Sequence, residues 1–186
     1  MGRTRNMLRC AFFLLFVLVH YVNCQLIIGV CREVEHIENP DMKRYSGHWY
    51  VIAQSITHPM RADSCQRITY VQERNKVLVT YYNNSEETIP YRNGTLKVEG
   101  PNKGELLLDL SHSFVIYNFR LLYADYPELA VEYTCLDGTW RATESISVVH
   151  RKPIHLTQLS DLLALNITSY LSPYWSGLRI VNQVNC

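Results

Sequence analysis

The groups with the widest chemical reach in this 186-residue chain are its six cysteines, seven histidines and thirteen tyrosines. Cys10 and Cys24 fall in an N-terminal leader described below, which leaves Cys31, Cys65, Cys135 and Cys186 for the folded domain. None of these four forms a CxxC pair or stands near a histidine at ligand spacing, so zinc is not expected. An even count in an oxidising compartment points instead to two disulfides, and spacing alone leaves three connectivities open. The histidines are scattered without HExxH, and the chain has neither G-x-S-x-G nor a glycine-rich helix start. No nucleophile with an adjacent base, metal triad or phosphate loop is therefore legible, and the expectation is a protein that is not an enzyme and needs no cofactor. The tyrosines are different: a ring with one hydroxyl serves binding better than catalysis.

Those residues need elements to hold them. Arg3, Arg5 and Arg9 precede an apolar run from Ala11 to Val19 and a more polar stretch to Cys24, the order of a secretory signal peptide. The run is about half of what a membrane helix needs, so a signal anchor is the weaker reading and no stable membrane insertion is expected. We expect residues 1–24 to be the signal peptide and residues 25–186 one domain. Loss of the three arginines leaves fifteen basic against seventeen acidic residues, with no Lys/Arg cluster longer than a pair. That pattern lacks the electrostatic footprint of a nucleic-acid binder. Sequons at Asn83, Asn93 and Asn166 suit passage through the secretory pathway.

Eight short segments carry β-branched and aromatic residues in near alternation, separated by turn-forming clusters. They run Gly47 to Ser55, Gln66 to Glu73, Lys76 to Asn83, Thr88 to Val98, Glu105 to Leu110, Tyr117 to Asp125, Glu128 to Cys135 and Thr143 to His150. Only then does the period change, with Leu156, Leu159, Leu162, Leu163 and Ile167 forming one helical face between Pro153 and Pro173. Such a helix cannot hide its leucines alone and is expected against the outside of the sheet, with Asn166 close to that leucine face. An antiparallel meander of eight strands must close or leave two sticky edges; a two-sheet sandwich fits the strand count nearly as well.

Motifs separate the two. Gly47-His48-Trp49 opens the first strand, Ala124-Asp125-Tyr126 precedes Leu129-Ala130-Val131-Glu132-Tyr133, and Val148-Val149-His150-Arg151 ends the last. In that order they resemble the G-x-W entry, the T-D-Y turn and the strand-ending arginine of lipocalins. Val181-Asn182-Gln183-Val184-Asn185-Cys186 and Tyr133-Thr134-Cys135 resemble the apolipoprotein D and lazarillo-like branch over residues 31–186. The resemblance implies an all-β fold: an eight-stranded antiparallel up-and-down barrel with a C-terminal α-helix packed outside. It also implies bridges Cys31 with Cys135 and Cys65 with Cys186. The family's one enzymatic route uses a free barrel cysteine, which four paired cysteines would not supply.

On this reading Gly47, Trp49 and Arg151 form the barrel floor, with the guanidinium stacked on the indole and bonded to nearby carbonyls. The candidate ligand-binding residues are Trp49, Tyr70, Tyr81, Tyr82, Leu122, Val131, Tyr133 and Val149; Tyr81 and Tyr82 are rivals, since only one phase of a strand points in. Packing alone accounts for any single one of them. The loop Thr57 to Ser64 is placed at the open mouth, with Met60 as an entry gate or an ordinary surface residue. The leading function is a secreted carrier of a small hydrophobic ligand such as a fatty acid, sterol, retinoid or pigment, and the resemblance adds roles in lipid metabolism or oxidative stress. The loop before Tyr117 lacks a methionine, which weakens that last transfer. The alternative is a secreted interaction or defence protein acting through its loops on an extracellular receptor or other protein partner. An interior filled by its own side chains would favour the second.

Overall fold

A computed structural model describes residues 29–74, 76–83, 92–98 and 104–186. The expected signal peptide lies outside the described residues. Eight strands follow one another, β1 (Gly47–Ser55), β2 (Arg67–Gln72), β3 (Val77–Tyr82), β4 (Arg92–Val98), β5 (Leu106–Leu110), β6 (Ile116–Ala124), β7 (Leu129–Leu136) and β8 (Thr143–His150). Each pairs antiparallel with the next, and β1 pairs with both β8 and β2. The ring is therefore closed, which removes the sandwich alternative and the exposed edges together. A ninth strand, β9 (Leu178–Ile180), lies along the end of β1, with Ala53 opposite Ile180. Neither β9 nor the short helix α1 (Met42–Tyr45) was expected from the sequence.

Glycine and bulges shape the ring. β-Bulges interrupt the register between Val51 and Ala53 on β1 and between Leu121 and Tyr123 on β6. Each inserts one residue, bends its strand and lets the wall turn a corner. Gly94 on β4 is packed so closely that a Cβ there would meet the Asp109 carbonyl oxygen at 2.8 Å.

The C-terminal segment packs on the outside of the barrel, but not as one continuous helix. A 3-10 stretch (Leu159–Leu165) ends at Asn166, whose φ of 55° is left-handed, and α2 (Thr168–Leu171) and a second 3-10 stretch (Ser172–Gly177) follow. Asparagine tolerates that conformation, and the β-branched Ile167 and Thr168 do nothing to carry a helix across it. The apolar face survives the break: Leu156, Leu162, Ile167 and Leu171 are buried against Ile52, Leu122, Val131, Tyr133 and Ile146, whereas Leu163 is half exposed. Among the described residues no helix is long and apolar enough to cross a membrane.

The bridges are Cys31–Cys135 and Cys65–Cys186. The first fastens the N-terminal segment to β7, the second fastens the chain's end to the loop between β1 and β2. Two buried clusters result, one inside the ring and one between its outer surface and the C-terminal segment.

Candidate functional site: the barrel interior

The floor is assembled from three neighbours in sequence and one arginine over a hundred residues away. Asp41 caps α1 by accepting from the Arg44 N–H, which sets the helix across the barrel end. Tyr45 follows on that helix, its ring stacked on Trp49 at 4.7 Å between centroids, and the Trp49 indole N–H donates to the Tyr45 carbonyl at 2.8 Å. The Arg151 guanidinium lies 3.8 Å from the Trp49 ring centroid on the outer side. Its N–H groups donate to the carbonyls of Arg44, Tyr45, Ser46, His48 and Tyr126. Gly47 has φ of 112°, and a Cβ there would stand 2.9 Å from Arg151 Nη1, so only glycine fits between arginine and indole.

Above the floor the wall is mostly apolar: Val51, Ile68, Val77, Val79, Leu96, Leu106, Leu108, Leu110, Phe119, Leu121, Ala130 and Val149 form one cluster with Tyr70 and Tyr81. One carboxyl interrupts it. Glu132 on β7 is 2 % exposed, and its Oε1 accepts from the hydroxyls of Tyr45 at 2.7 Å and Tyr70 at 2.6 Å. Burial pushes its carboxyl up to about 7, with the two tyrosine bonds pulling the other way. Burial likewise raises the Tyr45, Tyr70 and Tyr81 hydroxyls, and the Glu132 charge adds to each. Gln54, Thr134, Ser145 and Ser147 are also buried on this side of the ring, and Gln54 Nε2 donates to Ser147 Oγ at 3.2 Å.

The opposite end is stopped by the loop between β1 and β2. Met60 is 2 % exposed and belongs to the interior cluster; the Gln66 amide donates to its carbonyl. His58 is buried beneath the same loop, its Nδ1 accepting from the Met60 N–H at 3.1 Å, and burial lowers it to about 3. Where β1 and β2 part, the C-terminal segment fills the seam: Gln183 Nε2 donates to the carbonyls of Val51 and Gln66.

The structure brings together Trp49, Tyr70, Tyr81 and Val149 inside the ring, and it resolves the rivalry on β3, because Tyr82 faces out with Arg67 stacked 4.5 Å from its ring centroid. The inward placement of Leu122, Val131 and Tyr133 is corrected: all three belong to the outer cluster under the C-terminal segment. Leu122 lies at the β6 bulge, and on β7 the alternation is inverted, with Ala130, Glu132 and Thr134 inward. Met60 is not a surface residue. Among the sequon asparagines, Asn93 and Asn166 are exposed and Asn83 is partly buried, with its Oδ1 enclosed and unpartnered.

Sequence reasoning passed over Tyr45 and Glu132, and for Met60 it offered an entry gate or a surface residue. A signal for Glu132 existed: the small or polar residues Ala130, Glu132 and Thr134 share one phase of β7, as Ser145 and Ser147 share one phase of β8, and Glu132 stands opposite Ser147. Among the described residues no group of histidine, cysteine or carboxylate side chains could hold a metal ion.

No family model and no curated protein matches the chain. Solved structures do. Lobster apocrustacyanin A1 superposes with a TM-score of 0.63 at 18% identity, covering 86% of this chain and 92% of that one. H1 crustacyanin of the lobster Homarus americanus gives 0.62 at 20% identity over 87% and 92%. Insecticyanin of the tobacco hornworm Manduca sexta gives 0.61 at 16% identity over 83% and 87%. The fold is that of these lipocalins, and the eight-stranded barrel fits that family.

Proposed function

We propose that the chain is a secreted protein that binds one small hydrophobic molecule inside its barrel and catalyses nothing. The observation that carries this reading is the ring itself: a closed wall with a mostly apolar inner face, a buried indole floor held from outside by Arg151, and a mouth covered by the β1–β2 loop. The disulfides, the leader sequence and the exposed sequons Asn93 and Asn166 support secretion, with residues 1–24 removed and residues 25–186 forming the mature domain. The apolipoprotein D-like branch is supported by the C-terminal motif, whose Gln183 and Cys186 both bind the mouth loop region.

The interior side chains are packed on one another: Trp49 and Val149 are 0% exposed, Tyr70 1% and Phe119 2%. A guest must therefore displace part of this packing, and Met60 belongs to it from a loop rather than from a strand of the wall. The same packing favours the second reading, a secreted interaction protein. Phe114, fully exposed in the β5–β6 loop at the mouth, and Trp140, 77% exposed in the β7–β8 loop, would be its contact residues.

Native mass spectrometry and tryptophan-quenching titrations with fatty acids, sterols, retinoids and pigments separate the two. Saturable one-to-one binding supports the carrier. No binding across the panel, with the fold intact by circular dichroism, sinks it in favour of the interaction protein.

A further inference from the structure

Among the described residues the interior carries an acid and, at its depth, no base. On the described strands the inward phase contains a single cation, Arg92, which stands opposite Tyr81 at the mouth end of β4 and is only partly buried. Arg151 is outside the floor and already committed to five carbonyls. Glu132 sits between floor and mouth, where both tyrosine hydroxyls spend their hydrogens on Oε1. No hydrogen bond from a described residue falls on Oε2. A buried carboxyl with one oxygen satisfied and one open is an acceptor waiting for a donor. The rings of Tyr70 and Tyr81, in the same cluster, suit a cation further.

We propose that Glu132 Oε2 is the polar anchor of the barrel, and that it selects an apolar guest whose buried end donates a hydrogen bond, an amine ahead of an alcohol, over a fatty acid. This rests on the carrier reading. A carboxylate pushed to the same depth meets Glu132 and the tyrosines around it, with no cation among the described residues to receive it, which is the costly arrangement for a buried charge. Its one favourable pose leaves the head at the mouth beside Arg92.

A matched series tests this on the full-length secreted protein: dodecylamine, dodecanol and dodecanoic acid, below their micelle concentrations at pH 8, followed by tryptophan quenching and native mass spectrometry. The expected order is amine, alcohol, acid, with the amine about tenfold tighter than the acid, the scale of one charge-assisted hydrogen bond. Glu132→Gln should cost the amine about that factor and leave dodecanol within a factor of about three. An acid that binds as tightly as the amine to the unaltered protein overturns the proposal, whether or not the variant folds. So does an amine preference that persists in folded Glu132→Gln. Binding of the acid alone leaves the carrier standing and removes only the anchor; failure of all three also removes the anchor, and the carrier falls with it only if the sterols, retinoids and pigments of the wider panel fail as well.

Discussion

The two sides of the barrel wall obey different rules. From β2 to β5 one face is wet: Val77, Val79 and Tyr81 are buried while Leu78, Thr80 and Tyr82 between them are not, and β5 alternates in the same way. From β7 through β8 both faces are covered, and every residue from Leu129 to Cys135 is buried. On the thin side hydrophobicity marks the inside. On the thick side it marks the outside as well, because the C-terminal segment needs an apolar bed, and the small and polar residues Ala130, Glu132, Thr134, Ser145 and Ser147 are left to face the centre. Alternation reports inwardness only where the other face meets water.

Removing a fastening of the thick side should have the largest effect. Cys31→Ser combined with Cys135→Ala opens a loop of 104 residues, and the chain-entropy argument puts the loss at about 4 to 5 kcal/mol, read by guanidinium denaturation. Cavities come next and compare the two clusters directly. Leu162→Ala beneath the C-terminal segment and Leu108→Ala inside the ring should each cost about 2 to 5 kcal/mol, but only Leu108→Ala should alter guest binding. If Leu162→Ala changes binding equally, the two clusters are one.

Glu132 gives a pH signature. Its carboxyl is raised in the folded chain from 4.5 to about 7, so the stability it allows is intact below about pH 4.5 and declines as pH climbs towards 7. Glu132→Gln should therefore match the parent at pH 4 and exceed it at pH 8 by roughly 3 kcal/mol. Equal stability differences at both values would show that the carboxyl is not desolvated. The smallest effect belongs to the wet face of the thin side: Thr80→Val should stay within about 0.5 kcal/mol in the same denaturation experiment.

The same contrast explains how much could be read from the residues. β1 and β8 have the bounds their patterns predict, and the others differ by a residue at their ends, except that β4 is described from Arg92 while its predicted start at Thr88 lies outside the described residues; bounded β-branched runs are local signals. The floor was legible too, since G-x-W and the distant arginine are motif positions. The inward phase of β7 was not. Val131 and Tyr133 look like core and Glu132 looks like surface until a second layer, brought by a segment over twenty residues further on, is laid over that strand. Tyr45 escaped notice because its role depends on α1, four residues long and far below the length at which periodicity speaks. The burial of Met60 was not legible because a loop's direction is set by tertiary bonds, here those of Gln66 and Gln183.

The mouth loop is held unequally at its two ends. At its start Ile56 and Thr57 are tied by hydrogen bonds alone, from the Ile56 N–H to the Gly177 carbonyl and from the Thr57 hydroxyl to the Glu144 carbonyl. At its finish Cys65 is covalently joined to Cys186, the last residue of the chain. The finish is held further by the pairing of Ser64 with Asn182 and by the Cys65 N–H donating to the Asn182 carbonyl, so the loop is fastened most firmly on the cysteine side. Reducing that disulfide would therefore free the finish of the loop from its covalent tie to the C-terminal segment and leave the hydrogen bonds at its start in place.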